Sequence, residues 1–354
     1  MTYNRKRAVG DRLDLWLDRL PADAFPDRNY QLQYKNVATK LATDAHTKVE
    51  MQNILTQINA GNVAWELIIY LNNHGPGHVN QVIERVSRIL RDGGGTLTAY
   101  EGYLLLMAIQ FHDVGNIFGR DNHEIKAGLI MKRMGMLTGE DTCEKRVILQ
   151  IAAAHGGNNR GSKDTIGEID NDNHLKNATV RKRFIAALLR FADELADDSS
   201  RADRFSLAIG AVPPASELYH VYSKSLHSVV IAGEDVILSF EFDKDTALRE
   251  FVKGDAKTYL LDEIFARTLK MHMERIYCMR FLRPHIQINR IQVKVTICET
   301  FEQDALATPI KEIRYGLEEK GYPDMPAGIA IMCPELKGIT GKAVSEDILR
   351  KVTP

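Results

Sequence analysis

The sequence is poor in several features that would place it in other classes. Four cysteines in 354 residues (Cys143, Cys278, Cys298 and Cys333) are scattered without a CxxC pair. That excludes a disulfide scaffold, speaks against a thiolate zinc site, and leaves reduced thiols packed as small hydrophobes. The 25 glycines and 11 prolines are too few for a collagenous or low-complexity chain. Charge of one sign is also missing: 46 Lys and Arg face 47 Asp and Glu, a formal net charge of −1. A polyanion coat needs a strong basic excess, so extended nucleic-acid binding is not expected. No long apolar run occurs; the most apolar window, Tyr103 to Phe111, is about half of what a membrane span needs. The basic start Met1 to Arg7 has no apolar stretch behind it, so no signal peptide is expected. A cytoplasmic protein without membrane association follows as the expectation.

With 44% hydrophobic residues the chain can bury a sizeable core, and its length fits two domains or one large domain with an appendage. Helical periodicity runs from Arg12 to Leu20 and from Thr47 to Leu71, where His74-Gly75-Pro76-Gly77 breaks it. Val79, Val82, Ile83, Val86 and Ile89-Leu90 mark another helix, stopped by Gly93-Gly94-Gly95. Thr98 to Asp113 is apolar nearly all round, as a buried central helix would be. Asn122 can cap a helix from His123 to about Met134. Glu144 to His155 and Arg181 to Asp198 read as helices, and the polar stretch Asn158 to Asn173 as a loop. After Arg204 the texture changes. Tyr219 to Tyr222 and Val229 to Phe242 alternate like strands, the latter with a turn at Gly233-Glu234-Asp235. Helix follows from Lys257 to Phe281, strand from His285 to Thr300, helix again near Pro309 to Lys320, and an apolar run at Ile329 to Cys333. The fold class is therefore α+β: all-helical to about residue 210, then a smaller α+β domain, with the boundary near Ala211 to Glu217.

The 11 histidines are the unusual component. His78, the pair His112-Asp113, His123, His155 and Asp193 each lie at a helix end or inside a helical segment. Imidazole and carboxylate suit divalent metals such as Mn, Fe, Co or Zn. A carboxylate at the end of a buried helix is costly to desolvate unless paired or metal-bound. Two metals sharing it can activate a water and clamp a phosphoryl oxygen. His74, four residues before His78, competes with it; Gly75-Pro76-Gly77 separates the two and leaves His74 a loop residue near the site mouth.

The ordered series Gly77-His78-Val79, Phe111-His112-Asp113-Val114-Gly115, Asn122-His123-Glu124, Ala154-His155-Gly156 and Phe191-Ala192-Asp193-Glu194-Leu195 resembles the HD superfamily of metal-dependent phosphohydrolases, over roughly residues 70 to 205. The resemblance implies an HD-type core at 71–210, with a helical extension at 1–70 and the α+β domain at 211–354. It also implies two divalent ions (Mn, Fe, Co, Zn or Mg), one held by His78, His112, Asp113 and Asp193. The other would be held by His123 and His155, with Asp113 bridging, as in the binuclear branch that includes cyclic-nucleotide and cyclic-dinucleotide phosphodiesterases. His112 and Asp113 are the expected catalytic pair. Binuclear bacterial members often carry Lys three residues after the Asp of the pair, where this chain has Asn116. The Gly-Tyr-Pro element of the cyclic-dinucleotide branch is replaced by Gly156-Gly157-Asn158-Asn159; Gly321-Tyr322-Pro323 lies far downstream. Residues 192–198 and the α+β tail are also similar to HD variants of bacterial conflict systems.

The function so implied is hydrolysis of a phosphoester in a nucleotide or nucleotide-derived signal. Arg120, Lys126 and Arg160, and beside them Lys163, stand next to the ligand motifs and can meet substrate phosphates. Asp197 and Asp198 read as a solvated helix end, with Asp197 one turn from Asp193 and able to orient a ligand. Two alternatives remain open: a single-strand nuclease, like the HD nucleases of CRISPR systems, and a metal- and nucleotide-binding scaffold without turnover. The C-terminal domain would then contact a protein partner or a second copy of the chain.

Overall fold

A computed structural model describes residues 2–46, 48–49, 70, 72–119, 123–135, 142–156, 161–170, 174–299 and 308–319. Residues Met1–Leu317 form one compact unit and Glu318–Pro354 a second; the elements below belong to the first, whose final strand ends at the boundary. The helices are α1 (Leu13–Asp18), α2 (Tyr30–Leu41), α3 (Pro76–Asp92), α4 (Ala99–Phe111), α5 (His123–Arg133), α6 (Thr142–Ala153), α7 (Lys182–Glu194), α8 (Arg204–Ala208), α9 (Pro214–Ser225), α10 (Lys244–Leu248) and α11 (Leu260–Leu282). Two-residue strands β1 (Arg7–Ala8), β2 (Thr96–Leu97), β3 (His174–Leu175) and β4 (Ala178–Thr179) pin loops in the helical part. The longer strands β5 (Leu226–Ala232), β6 (Asp235–Asp243), β7 (Glu250–Lys253), β8 (Ala256–Tyr259), β9 (Arg290–Cys298) and β10 (Pro309–Glu318) all follow residue 225. The fold is α+β, a helical core with its strands mostly in the C-terminal region.

All thirteen residues of α4 are buried, because the helix is apolar on every face and is surrounded by α1, α2, α3, α6 and α7. Its start is fixed by a capping box. Glu101 N–H donates to Thr98 Oγ1 at 3.1 Å, and Thr98 N–H to Glu101 Oε2 at 2.9 Å. Arg181 then closes on the same carboxylate, its Nε and Nη2 each donating at 2.8 Å. This anchors the start of α7 to the start of α4, so the two helices deliver their C-terminal ends to one place.

The main sheet has the order β10-β9-β6-β5, with β5–β6 an antiparallel hairpin and β6–β9 parallel. Helix α11 and the antiparallel hairpin β7–β8 lie in the crossover between β6 and β9. The alternation seen in the sequence is the burial alternation of β6, whose Val236, Leu238, Phe240 and Phe242 face inward. Helix α11 packs along α7 and so joins the C-terminal elements to the helical core.

Two expectations fail. Tyr219 to Tyr222 is helical, inside α9: Pro214 occupies the first turn, and Leu218, Val221, Tyr222 and Ser225 are buried at helical spacing. Pro309 to Lys320 forms β10 and not a helix. Ile313, Tyr315 and Leu317 face the core on alternate positions, and β9 supplies the ladder that the segment alone does not announce. The expected helix at 47–71 and the apolar run Ile329 to Cys333 lie, apart from a few residues of the former, outside the described residues.

Burial would push the Glu101 carboxyl up, but Arg181 and the Thr98 N–H hold it below the ordinary carboxylate range. A depressed folded pKa contributes stability above the unfolded value, about 4.3, that is lost as pH falls through the folded value. Glu101→Gln is expected to lose about 3 kcal/mol of unfolding free energy at pH 7. In urea titrations the gap to wild type should narrow below pH 4; an undiminished gap would show that charge is not what Glu101 contributes.

Candidate metal centre

Five segments converge on one buried point, and each brings its ligand at or next to a helix end. Gly75 caps α3 and Pro76 fills its first position, placing His78 in the first turn. His112 and Asp113 directly follow α4, His123 opens α5, His155 comes two residues after α6, and Asp193 is in the last turn of α7. Carboxylates beside helix C-termini meet the negative end of the dipole. Asp113 and Asp193 therefore need positive charge from elsewhere.

The two oxygens of Asp113 face different groups. Oδ2 lies 3.4 Å from His78 Nε2 and 3.6 Å from His112 Nε2, and Asp193 Oδ1 lies 3.0 and 3.6 Å from the same two nitrogens. Oδ1 lies 3.2 Å from His123 Nε2 and 3.7 Å from His155 Nε2. Ligands each about 2.1 Å from one ion stand no more than about 4.2 Å apart. The distances just given are all inside that limit, and they define two groups whose ligand atoms lie within 4.8 Å of one another: His78, His112, Asp113 and Asp193 on one side, and Asp113, His123 and His155 on the other.

Tautomers agree with a metal role. His112 Nδ1 donates to the Ile109 carbonyl at 2.7 Å and His155 Nδ1 to the Ala152 carbonyl at 2.6 Å. Each Nε2 is then free to offer a lone pair to the cluster. His78 Nε2 and His112 Nε2 face each other at 3.2 Å, an approach that two lone pairs tolerate only with a cation or proton between them. Burial opposes a charged His112, yet Asp113 and Asp193 outweigh it and push its pKa up to about 9. Burial likewise acts to raise Asp113, but His74, His112, His123 and His155 hold it well below the usual range. Asp193 is lowered in the same way by His112 and His78. Such a cluster attracts positive charge, and its donors fit borderline divalent ions.

Further side chains hold the Asp113 carboxylate from behind. His74, expected at the mouth, is buried and donates from Nδ1 to Asp113 Oδ2 at 2.6 Å. Arg201 Nη2 stands 3.0 Å from both ring nitrogens of His74. Burial first, and then Arg201, bring the His74 pKa down to about 3 against the pull of Asp113, so the imidazole is neutral. On the other side Asn116 Nδ2 donates to Asp113 Oδ1 at 3.0 Å.

The ligands open into a cavity of about 890 Å³ whose lining draws on α7 and also on α9, the β7–β8 turn and α11. Most cations on its wall are already paired. Arg190 is bidentate to Glu274 at 2.7 and 2.9 Å, and Lys270 meets Glu194 and Lys253 meets Glu263, each at 2.6 Å. Arg267 bonds both Asp197 and Glu263. Arg201 stands 4.0 Å from its nearest carboxylate, Asp197, and Lys163 also lines the cavity. Asp197 is thus no solvated helix end. It accepts from Ser223 at 2.9 Å and from Arg267, and orients cavity cations, not metal ligands. Asp198 is likewise buried, paired with Arg85.

All six expected ligands come together. Lys126 does not join them: its Nζ donates to the Phe118 carbonyl at 3.4 Å, at the surface and away from the cavity lining. Arg120 and Arg160 lie outside the described residues. Sequence reasoning missed the cavity cations Arg201 and Arg267, which belong to no motif. For His74 the signal was present, in its spacing of four from His78.

A helical core with this ordered His and Asp set, able to hold metal, defines an HD-type domain. The HD-CE family model matches residues 55–270, well over half the chain, and the chain belongs to the HD-CE family. The match continues past residue 211 and ends within α11. No curated protein matches the chain. Among the described residues no helix is long and apolar enough to cross a membrane.

Two outcomes follow from the geometry. His123→Ala is expected to lower Mn²⁺ stoichiometry by elemental analysis below that of wild type, whereas Asp113→Ala, which removes the carboxylate common to both groups, should abolish tight binding at both positions. Gly115 has no room for a side chain, since a Cβ there would stand 2.0 Å from the His123 carbonyl oxygen. Gly115→Ala should therefore displace the start of α5, cost about 1–3 kcal/mol in thermal unfolding and lose the His123 metal. Unchanged stoichiometry in Gly115→Ala would contradict this coupling.

Proposed function

We propose that the protein is a metal-dependent phosphohydrolase that cleaves a phosphoester of a nucleotide or nucleotide-derived molecule. The observation that supports this reading most is the division of Asp113 between two ligand groups, one oxygen to each. A pair of divalent ions held there would neutralise charge on phosphoryl oxygens and acidify a water. His78, His112 and Asp193 would hold one ion, His123 and His155 the other, with Asp113 shared. The nitrogen-rich set favours Mn, Fe, Co or Zn over Mg.

Protein groups supply the rest. His74 and Asn116 fix the two oxygens of Asp113 from opposite sides, which keeps the ligand geometry constant as charge develops. Among the described residues, Arg201 and Lys163 are the cavity cations left to meet phosphate oxygens. The charge-paired wall supports a small substrate and speaks against a nuclease, since a strand needs a continuous basic track.

The test loads full-length protein with each of these metals in turn. It is then assayed against nucleotides, cyclic nucleotides, single-stranded oligonucleotides and simple phosphoesters. Turnover of a nucleotide-class ester is expected, falling more than about 100-fold in Asp113→Ala and His112→Ala with helical content by circular dichroism unchanged. A folded, metallated protein that turns over no phosphoester would establish the scaffold reading instead; cleavage of oligonucleotides alone would establish the nuclease.

A further inference from the structure

We propose that the wall opposite the metal ligands is a nucleobase subsite, in which Tyr219 stacks on the base of a substrate carrying a single phosphate group. The inference takes its phosphate end from the phosphohydrolase reading and adds the identity of the rest of the molecule.

Cavity size makes the first point. A volume of about 890 Å³ is far more than a phosphate occupies and lies at the upper end of the range of small-molecule sites, about 300–1,000 Å³. Something besides the phosphate fills it. Chemistry of the lining then decides what. The outer cations are matched by carboxylates at hydrogen-bond distance, so a second or third phosphate would have to break those pairs. Arg201 and Lys163 suffice for one phosphate alongside the metals. Polyphosphates and strands are therefore disfavoured.

What the outer wall does offer is a flat surface. Tyr219 lies on α9, half-buried, and is a lining residue of the cavity. The Arg267 guanidinium sits 5.2 Å from the ring centroid, and Asp197 and Glu263 hold that guanidinium in place. The aromatic platform is thereby fixed before any ligand arrives. Ala215, one turn before Tyr219 on the same helix, and Ala266 of α11 are also lining residues. Their small side chains leave space beside the ring. The Tyr219 hydroxyl has no hydrogen-bond partner among the described residues, whereas Tyr70 nearby is tied to Asp203 at 2.6 Å. A rigid, partly open aromatic ring beside small residues, in a cavity whose other end binds phosphate, suits a stacked base.

Titration calorimetry on the Mn²⁺-loaded full chain tests this with the four common nucleoside 5′-monophosphates, ribose 5-phosphate and the corresponding triphosphates. At least one monophosphate should bind about ten- to a hundredfold more tightly than ribose 5-phosphate and more tightly than its triphosphate. Tyr219→Phe should keep the preference over ribose 5-phosphate, and Tyr219→Ala should reduce it toward one with metal content unchanged. Equal affinity for ribose 5-phosphate and every monophosphate in wild type would overturn the proposal without any variant. A preference that survives in Tyr219→Ala, or tighter binding of triphosphates, would overturn it as well. Hydrolysis of simple phosphoesters by the same preparation reads the phosphohydrolase assignment separately, so either can fail while the other stands.

Discussion

A carboxylate buried where the protein gives it no fixed cation of its own is the constraint around which this molecule is organised. Asp113 follows a helix that is buried on every side, at the end where the dipole is least favourable to it. Five imidazoles within 3.7 Å of its oxygens answer that charge only in part, because they share the site with Asp193. Desolvation of such a pair of acids is tolerable when divalent cations complete the site. The anchoring of α7 to α4 through Arg181 and Glu101, the close approach at Gly115 and the Gly75-Pro76 start of α3 all serve to bring ligands to that point.

The layer behind the ligands explains how the carboxylate is kept divided. His74 and Asn116 each donate to one oxygen, so rotation of the carboxyl group would break a hydrogen bond on either side. Arg201 extends this layer into the cavity: its Nη2 lies against both ring nitrogens of His74, its Nε donates to the Asn73 carbonyl, and its Nη1 stands 4.0 Å from Asp197. The elements beyond residue 200 share in building the site. α9, the β7–β8 turn and α11 supply much of the cavity wall, and the charge pairs on that wall set which ligands it can accept.

Much of the site was legible in the sequence because its residues are of rare types in fixed order at helix ends. His78, His112, Asp113, His123, His155 and Asp193 needed no tertiary information to be singled out. The long buried helix and the alternating strands β6 and β9 were equally plain, since a core element declares itself by its periodicity. The failures have physical causes. Tyr219 to Tyr222 mimics a strand over four residues, and only the proline-initiated helix around it shows the longer period. β10 has half-exposed residues and takes its structure from pairing with β9. Asp197 looked solvated because its partners, Ser223 and Arg267, lie 26 and 70 residues away. Cavity residues such as Arg201 and Tyr219 carry no local signature, and long-range packing alone selects them.

Anomalous diffraction from crystals grown with Mn²⁺ tests the central claim most directly. Two peaks are predicted, one bounded by His78, His112 and Asp193 and the other by His123 and His155, each contacting a different oxygen of Asp113. A peak bound by both oxygens of Asp113 with the second position empty at saturating metal, or metal only outside the cluster, would contradict the bridging role from which this account of the protein proceeds.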